Sequence, residues 1–254
     1  MKEVQFLFDL YDERKLARIK PCFPISECDI LLDAGCGPGY RTMEARLLCL
    51  TVVAVDLSRF CLEELVRKLH AVPYCRHQTH VVLADIQHLP FRNGSFTKAI
   101  CTDVLEHVNH DRIAVKEINR TLITNGLLYM SVPHRDTEEL YRRLDRSWFW
   151  KTGHVRTYDP DAILRLLRSE GFQVLGTERS GFLRALYHVI QILLRVTIEK
   201  GTGKPLLSEG RGSLLLAVWR VAKPLYRSRI GMTVEKSGAT ILATALQIYT
   251  KKTG

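Results

Sequence analysis

The sequence predicts an α/β fold built on a parallel sheet, and three observations carry that expectation. The apolar run Ile30-Leu31-Leu32 ends in Asp33 and a glycine-rich bend, Gly35-Cys36-Gly37-Pro38-Gly39, with a helical pattern over Thr42–Leu48 behind it. A second apolar run, Leu50–Val55, closes on Asp56. Apolar runs and helical patterns then alternate through Gly176, which is the order of strands joined by crossover helices.

Each element follows from local chemistry. Residues 5–20 place Phe6, Leu10, Leu16 and Ile19 near helical spacing, and Pro21 and Pro24 end that pattern. Strand 1 is expected over residues 30–33 and strand 2 over Leu50–Val55. Ser58 is a side-chain cap for a helix over Phe60–Leu69. Strand 3 is expected over His80–Ala84 and ends at Asp85. Asn93-Gly94-Ser95 is a turn, and strand 4 over Thr97–Thr102 leads to Asp103. A helix over Asp111–Thr124 carries apolar Ile113, Val115, Ile118 and Leu122, with Gly126 as its stop. Strand 5 is expected over Leu127–Val132, broken by Pro133. Residues 134–159 read as the least regular stretch, rich in aromatics. Pro160 opens a helix ending at Ser169, before Gly171. Phe172–Gly176 and Thr240–Tyr249 complete the strands.

The glycine bend lets the chain turn tightly and lets backbone approach a ligand with no Cβ between. Amides at the following helix start are then expected to face an anionic end of that ligand. Asp56 lies about 20 residues beyond the bend, where an acid in such a fold accepts from both hydroxyls of a ribose. The spacing is Gly-x-Gly-x-Gly, not the Gly-x-Gly-x-x-Gly that seats a pyrophosphate. A nucleoside without phosphates suits the shorter bend.

Four segments in order, Asp33–Gly39, Val55-Asp56-Leu57-Ser58, Ala84–Phe91 and Asp103–Val108, resemble the signatures of class I S-adenosylmethionine-dependent methyltransferases. The chain is most similar to the ubiquinone/menaquinone-methyltransferase-like, or type 11, group. The resemblance covers residues 28–180 and the last strand. It implies a Rossmann-like sheet of seven strands, mostly parallel, with helices on both faces and the last strand antiparallel at the sheet edge. It implies S-adenosylmethionine as cofactor, held by Asp33, Gly35, Cys36, Gly37, Gly39, Asp56, Leu57, Asp85, Ile86, Thr102 and Asp103. Asp33 would orient the amino-acid end and Asp85 would meet the adenine amine. Ile86 would pack near the ring, and Thr102 and Asp103 would line the methionine side. Cys36 fills the bend and is not a nucleophile.

Domain organisation follows: N-terminal helices over 1–29, a methyltransferase core over 30–180 and 239–254, and a helical insertion over 181–238. The net charge of +10 sits almost entirely in the C-terminal third, where 12 lysines and arginines face three acids from Gly181 onward. In 182–198, Arg184, His188, Gln191 and Arg195 form one helical stripe on an otherwise apolar segment, and Leu214–Lys223 is a second apolar–cationic piece. Two readings stay open: a lid or dimer contact, and an interfacial anchor over 182–229 that meets an anionic membrane. The acceptor would be a small molecule, hydrophobic or lipid-linked. The alternatives are a protein that binds the cofactor without catalysis and a nucleic-acid methyltransferase. Cationic residues interleaved with aliphatics, rather than stacking aromatics, weigh against nucleic acid.

The seven cysteines form no Cys-x-x-Cys pair, no signal pattern opens the chain and no uncharged run spans a bilayer. These features point to a reducing, cytoplasmic setting. Cys75, His77 and His80 lack a fourth ligand at metal spacing, so no metal is expected. His107, His134 and His154 are the candidates for a general base. Each has a competing role as a hydrogen-bonded structural histidine.

Overall fold

The computed structural model describes residues 22–72, 78–182, 185–186, 189–190, 243 and 245–254. The helices expected over 5–20, most of the insertion, Leu214–Lys223, Cys75 and His77 lie outside the described residues. The chain divides into two compact units. The larger takes the described residues up to Val132, with Tyr158–Glu178 and Gln247–Gly254. The smaller takes Pro133–Thr157 and the described part of Arg179–Leu246.

Seven strands form one sheet: β1 (Ile30–Ala34), β2 (Thr51–Asp56), β3 (Gln78–Leu83), β4 (Phe96–Thr102), β5 (Leu122–Pro133), β6 (Phe172–Ser180) and β7 (Ala245–Lys252). Their order is β3-β2-β1-β4-β5-β7-β6. Strands β1 to β5 pair in parallel. The order runs outward from β1 in one direction and from β4 in the other. Right-handed crossovers then put helices on both faces, and a crevice opens beyond the carboxyl ends of β1 and β4.

The helices of the larger unit are α1 (Tyr40–Ala45), α2 (Arg59–His70), α3 (Asp111–Thr121) and, after the smaller unit's α4 (Arg135–Leu144) and α5 (Trp148–Thr152), α6 (Pro160–Ser169). Ser58 caps α2 by accepting from Cys61 N at 3.3 Å. Asp159 caps α6, with Pro160 in its first turn. Strand β1 is buried over four of its five residues, as an interior parallel strand requires. Its Leu31 packs with Phe23, Val52, Ile100, Tyr129 and Tyr249. Tyr129 stacks on Tyr249 with ring centroids 5.4 Å apart. Each such apolar side chain contributes about 1.5–3 kcal/mol by leaving water.

Three expectations need correction. Helix α3 stops at Thr121, not Thr124, and β5 starts at once with Leu122. Pairing jumps from Phe96–Leu122 to Lys98–Leu127, so five residues of β5 span two of β4. Gly126 therefore belongs to a bulge, not a helix stop. A Cβ there would lie 2.9 Å from Ile123 O and 3.1 Å from Thr97 O. Residues 134–159 are not irregular, since they carry α4 and α5.

The third correction concerns β7, which is antiparallel but not at the edge. Lys252 Nζ donates to Leu122 O at 2.8 Å and Thr250 Oγ1 to Leu128 O at 3.4 Å. On the other side, Thr253 N donates to Gly171 O at 2.9 Å, and Gly176 lies beside Tyr249. Strand β7 thus fills the slot between β5 and β6, and β6 forms the edge.

Candidate cofactor site

The bend after β1 carries three left-handed glycines: Gly35 (φ 77), Gly37 (φ 52) and Gly39 (φ 84). They do different work. A Cβ on Gly35 would come 2.5 Å from Val104 Cγ2, and one on Gly39 would run into the side chain of Leu65. A Cβ on Gly37 would meet nothing within 4 Å. Gly35 and Gly39 therefore let the bend pack against protein, while Gly37 turns a bare backbone toward open space.

The amides of the bend are engaged inside the protein. Gly35 N and Cys36 N both donate to Val55 O, at 2.8 and 2.9 Å, and Gly39 N donates to Cys36 O at 3.0 Å. Gly37 N donates to Asp56 Oδ2 at 2.7 Å. The bend thus supplies room rather than donors, unlike a phosphate cradle. Asp56 also accepts from Ser58 N through Oδ1, at 2.8 Å. Each carboxylate oxygen has two lone pairs, so each keeps one beyond its backbone partner. Two aligned acceptor positions fit a vicinal diol.

Asp33 is 1% exposed and accepts from Thr42 Oγ1 at 2.6 Å. Burial pushes its carboxyl up to about 6; the Thr42 bond and the Arg41 charge oppose the rise and the Asp56 charge adds to it. The contact found for Asp33 is thus a structural one that fixes the start of α1. Because the folded pKa lies above the unfolded value near 3.8, this group's contribution is complete below that value. It is lost as pH rises through about 6. We predict that Asp33→Asn removes a loss of roughly 3 kcal/mol between those limits. Urea midpoints of both proteins at pH 4 and pH 7 check this; parallel pH profiles would refute it.

At the end of β3, Asp85 accepts from Gln87 N and from Gln87 Nε2. Ile86 is 5% exposed and Leu57 is 70% exposed. Ile86 is therefore mostly core, and Leu57 presents its side chain beside Asp56. At the end of β4, Asp103 adopts φ 55, rare for a residue with a Cβ. Its N donates to Ser131 O and its Oδ1 accepts from Ser131 Oγ, both at 2.9 Å. Thr102 is half-buried beside it. Cys36 is buried against Ala54, Leu62 and Leu65, and burial drives its thiol pKa far up, as expected of a filler.

Two partners of this site escape sequence reasoning. Lys68 Nζ donates to Pro38 O at 2.8 Å and lies 4.3 Å over the Tyr40 ring, clamping the bend from α2. Ser131 holds Asp103. Lys68 sits four residues after Glu64, a spacing that reads as a solvent-facing pair. Nothing local to Ser131 announces Asp103.

The base candidates differ in burial and in partners. His107 is exposed and ends a 3₁₀ turn in the larger unit. His134, in the smaller unit, is 3% exposed, and burial, then Arg179, lowers its pKa against Asp136. His154, in the same unit, has Nδ1 at 2.8 Å from Glu138 Oε2. Trp148 Nε1 donates to that same oxygen at 3.0 Å. Glu138 is 4% exposed. A buried carboxylate aligning an imidazole is the usual support of a general base. Glu138 lies in the stretch read from the sequence as irregular, so nothing there singled it out.

Comparisons with known proteins agree with this geometry. Residues 32–130 match the model of the family described as methyltransferase domain. A malonyl-[acyl-carrier protein] O-methyltransferase of Legionella pneumophila is 32% identical over 120 residues, covering 46% of this chain and 40% of its own length. The protein of the same name from Dechloromonas aromatica is 25% identical over 95% of this chain and 89% of its own length. Among solved structures, a Haemonchus contortus phosphoethanolamine N-methyltransferase in complex with S-adenosyl-L-methionine aligns with TM-score 0.61 and 18% identity. That alignment covers 94% of this chain and 52% of that one.

Proposed function

The chain belongs to the class I S-adenosylmethionine-dependent methyltransferases, and from that premise we propose that its methyl acceptor is a small molecule, hydrophobic or lipid-linked. The observation that carries the acceptor reading is its likeness to proteins named for a carrier-linked acyl substrate, one of them along 95% of this chain. The residues fit the cofactor: Gly37 leaves the bend open on one side, and the Asp56 carboxylate keeps two aligned acceptor positions. The amides engaged within the bend suit a ligand without phosphates.

When bound, S-adenosylmethionine supplies a methyl group already activated on a sulfonium centre. The chain's part is then to position and to exclude water. Asp56 would accept from both ribose hydroxyls and Asp85 from the adenine amine. The Thr42–Asp33 and Lys68–Pro38 contacts hold the bend in shape. Asp103, fixed by Ser131, would line the methionine side with Thr102. An acceptor that arrives protonated also needs a base. We assign that task to His154, whose Nδ1 is aligned by Glu138. His134 is too deeply buried to reach an acceptor in this conformation.

Incubating the protein and methyl-labelled cofactor with a lipid extract and a polar extract, followed by mass spectrometry, tests the reading. Label is expected in an apolar product. His154→Ala should lower its rate about 10²–10⁴-fold with cofactor affinity unchanged. Label confined to polar products would overturn the acceptor class. An unchanged rate in His154→Ala would remove the base assignment.

A further inference from the structure

Gln87 lies outside every role given so far, yet it makes the densest set of polar contacts at the end of β3. Its backbone N donates to Asp85 Oδ1 at 2.8 Å. Its side-chain Nε2 donates to both carboxylate oxygens, at 3.1 and 2.9 Å. Its Oε1 accepts from His110 N, the residue that precedes α3, at 3.2 Å.

The last contact settles which way the amide points. A side-chain amide has one accepting and one donating end. With the oxygen committed to a backbone N–H, the NH2 group must face the carboxylate. Asp85 thus receives three donor contacts from a single residue, itself tethered to the start of α3. The segment just beyond is tethered as well. Leu89 N donates to Glu117 Oε2 at 2.9 Å, and Arg120 donates to Leu89 O at 3.0 Å and to Phe91 O at 2.7 Å. Arg120 also holds Glu117 at 2.7–2.8 Å. The loop after β3 is therefore fastened to α3 at both ends.

We propose that Gln87 is a positioning residue for recognition of the purine base: it fixes the plane of the Asp85 carboxylate so that the lone pair left on Oδ2 selects a ligand that offers an amine. This rests on the reading of Asp85 as the acceptor for the adenine amine. An acceptor-only carboxylate held in one orientation rewards an amino group at the purine 6-position. It penalises a 6-oxo group, which presents another acceptor and leaves the carboxylate unpaired. If the carboxylate could swing freely, it would turn away from the oxo group toward water and the penalty would shrink.

The test compares two ligands, S-adenosylhomocysteine and its deaminated counterpart S-inosylhomocysteine, by titration calorimetry on the full chain. The wild-type protein is expected to prefer the adenosyl compound by at least tenfold. In Gln87→Leu the preference should fall below threefold, through weaker adenosyl binding and a smaller penalty on the inosyl compound. Gln87→Glu, which sets a second carboxylate against Asp85, should lower it likewise. Because the readout is a ratio within one protein, partial loss of folded material does not move it. An unchanged ratio in Gln87→Leu would overturn the proposal, as would equal weakening of both ligands, the mark of a merely structural contact. Asp85→Asn separates the two levels. A wild type without preference, or an Asp85→Asn variant that keeps it, would instead refute the underlying role of Asp85.

Discussion

Asp56→Ala is expected to weaken S-adenosylhomocysteine binding by at least a hundredfold. The wild-type carboxylate offers two lone-pair positions beyond its bonds to Gly37 N and Ser58 N. Hydrogen bonds to a charged group contribute about 1.5–3 kcal/mol each, so losing two ribose contacts costs on the order of 10²–10⁴ in affinity. A second loss travels with it. Gly37 N and Ser58 N are deprived of their acceptor, and the bend is left tied to β2 by the Gly35 and Cys36 bonds to Val55 O. Asp56→Asn keeps an oxygen for one amide and should fall between the alanine variant and wild type. Calorimetric titration with the demethylated product checks both. Alanine binding within tenfold of wild type would show that the carboxylate does not grip the sugar.

The second large effect is on stability. Gly39→Ala must place a Cβ at φ 84 and against Leu65, a side chain with no exposure in the core under α2. Left-handed backbone costs about 1–2 kcal/mol for a residue with a Cβ, and overpacking a filled core about 1–3 kcal/mol more. The expected destabilisation is therefore about 2–5 kcal/mol, read as a lower urea midpoint. Gly37→Ala is the control in the same bend. It carries the backbone cost at φ 52 but meets no protein atom, so its stability loss should stay near 1–2 kcal/mol. Its Cβ would enter the open side of the bend instead, and its larger effect should be on cofactor affinity. Equal stability losses in the two variants would contradict this division of labour.

The division itself was invisible in the sequence. Gly35, Gly37 and Gly39 look alike in a motif, and only the neighbours Val104 and Leu65, brought up by other elements, tell them apart. Asp56 and the cap at Ser58 were legible because their geometry is local: a strand end, a bend and a helix start within a few residues. Asp33 was legible as an acid closing a strand but not as a buried partner of Thr42, since burial depends on what covers a strand end. Gly126 misled because a glycine after a helical pattern also suits a bulge, and pairing with β4 decided between them. Glu138 and Lys68 carry charges at ordinary helical spacing. Their partners, His154 and Pro38, lie 16 and 30 residues away along the chain, beyond the reach of any periodicity.

The place of β7 bears on how the molecule is made. Strand β7, which follows β6 in the chain, occupies an interior slot, so β6 has no neighbour to join until residues 245–252 have been synthesised. During translation the five-stranded parallel part can settle early, while β5 and β6 wait with exposed ladders facing each other. The sheet closes when β7 enters that slot, and the interval before closure is when a nascent chain is most exposed to mispairing with other edges.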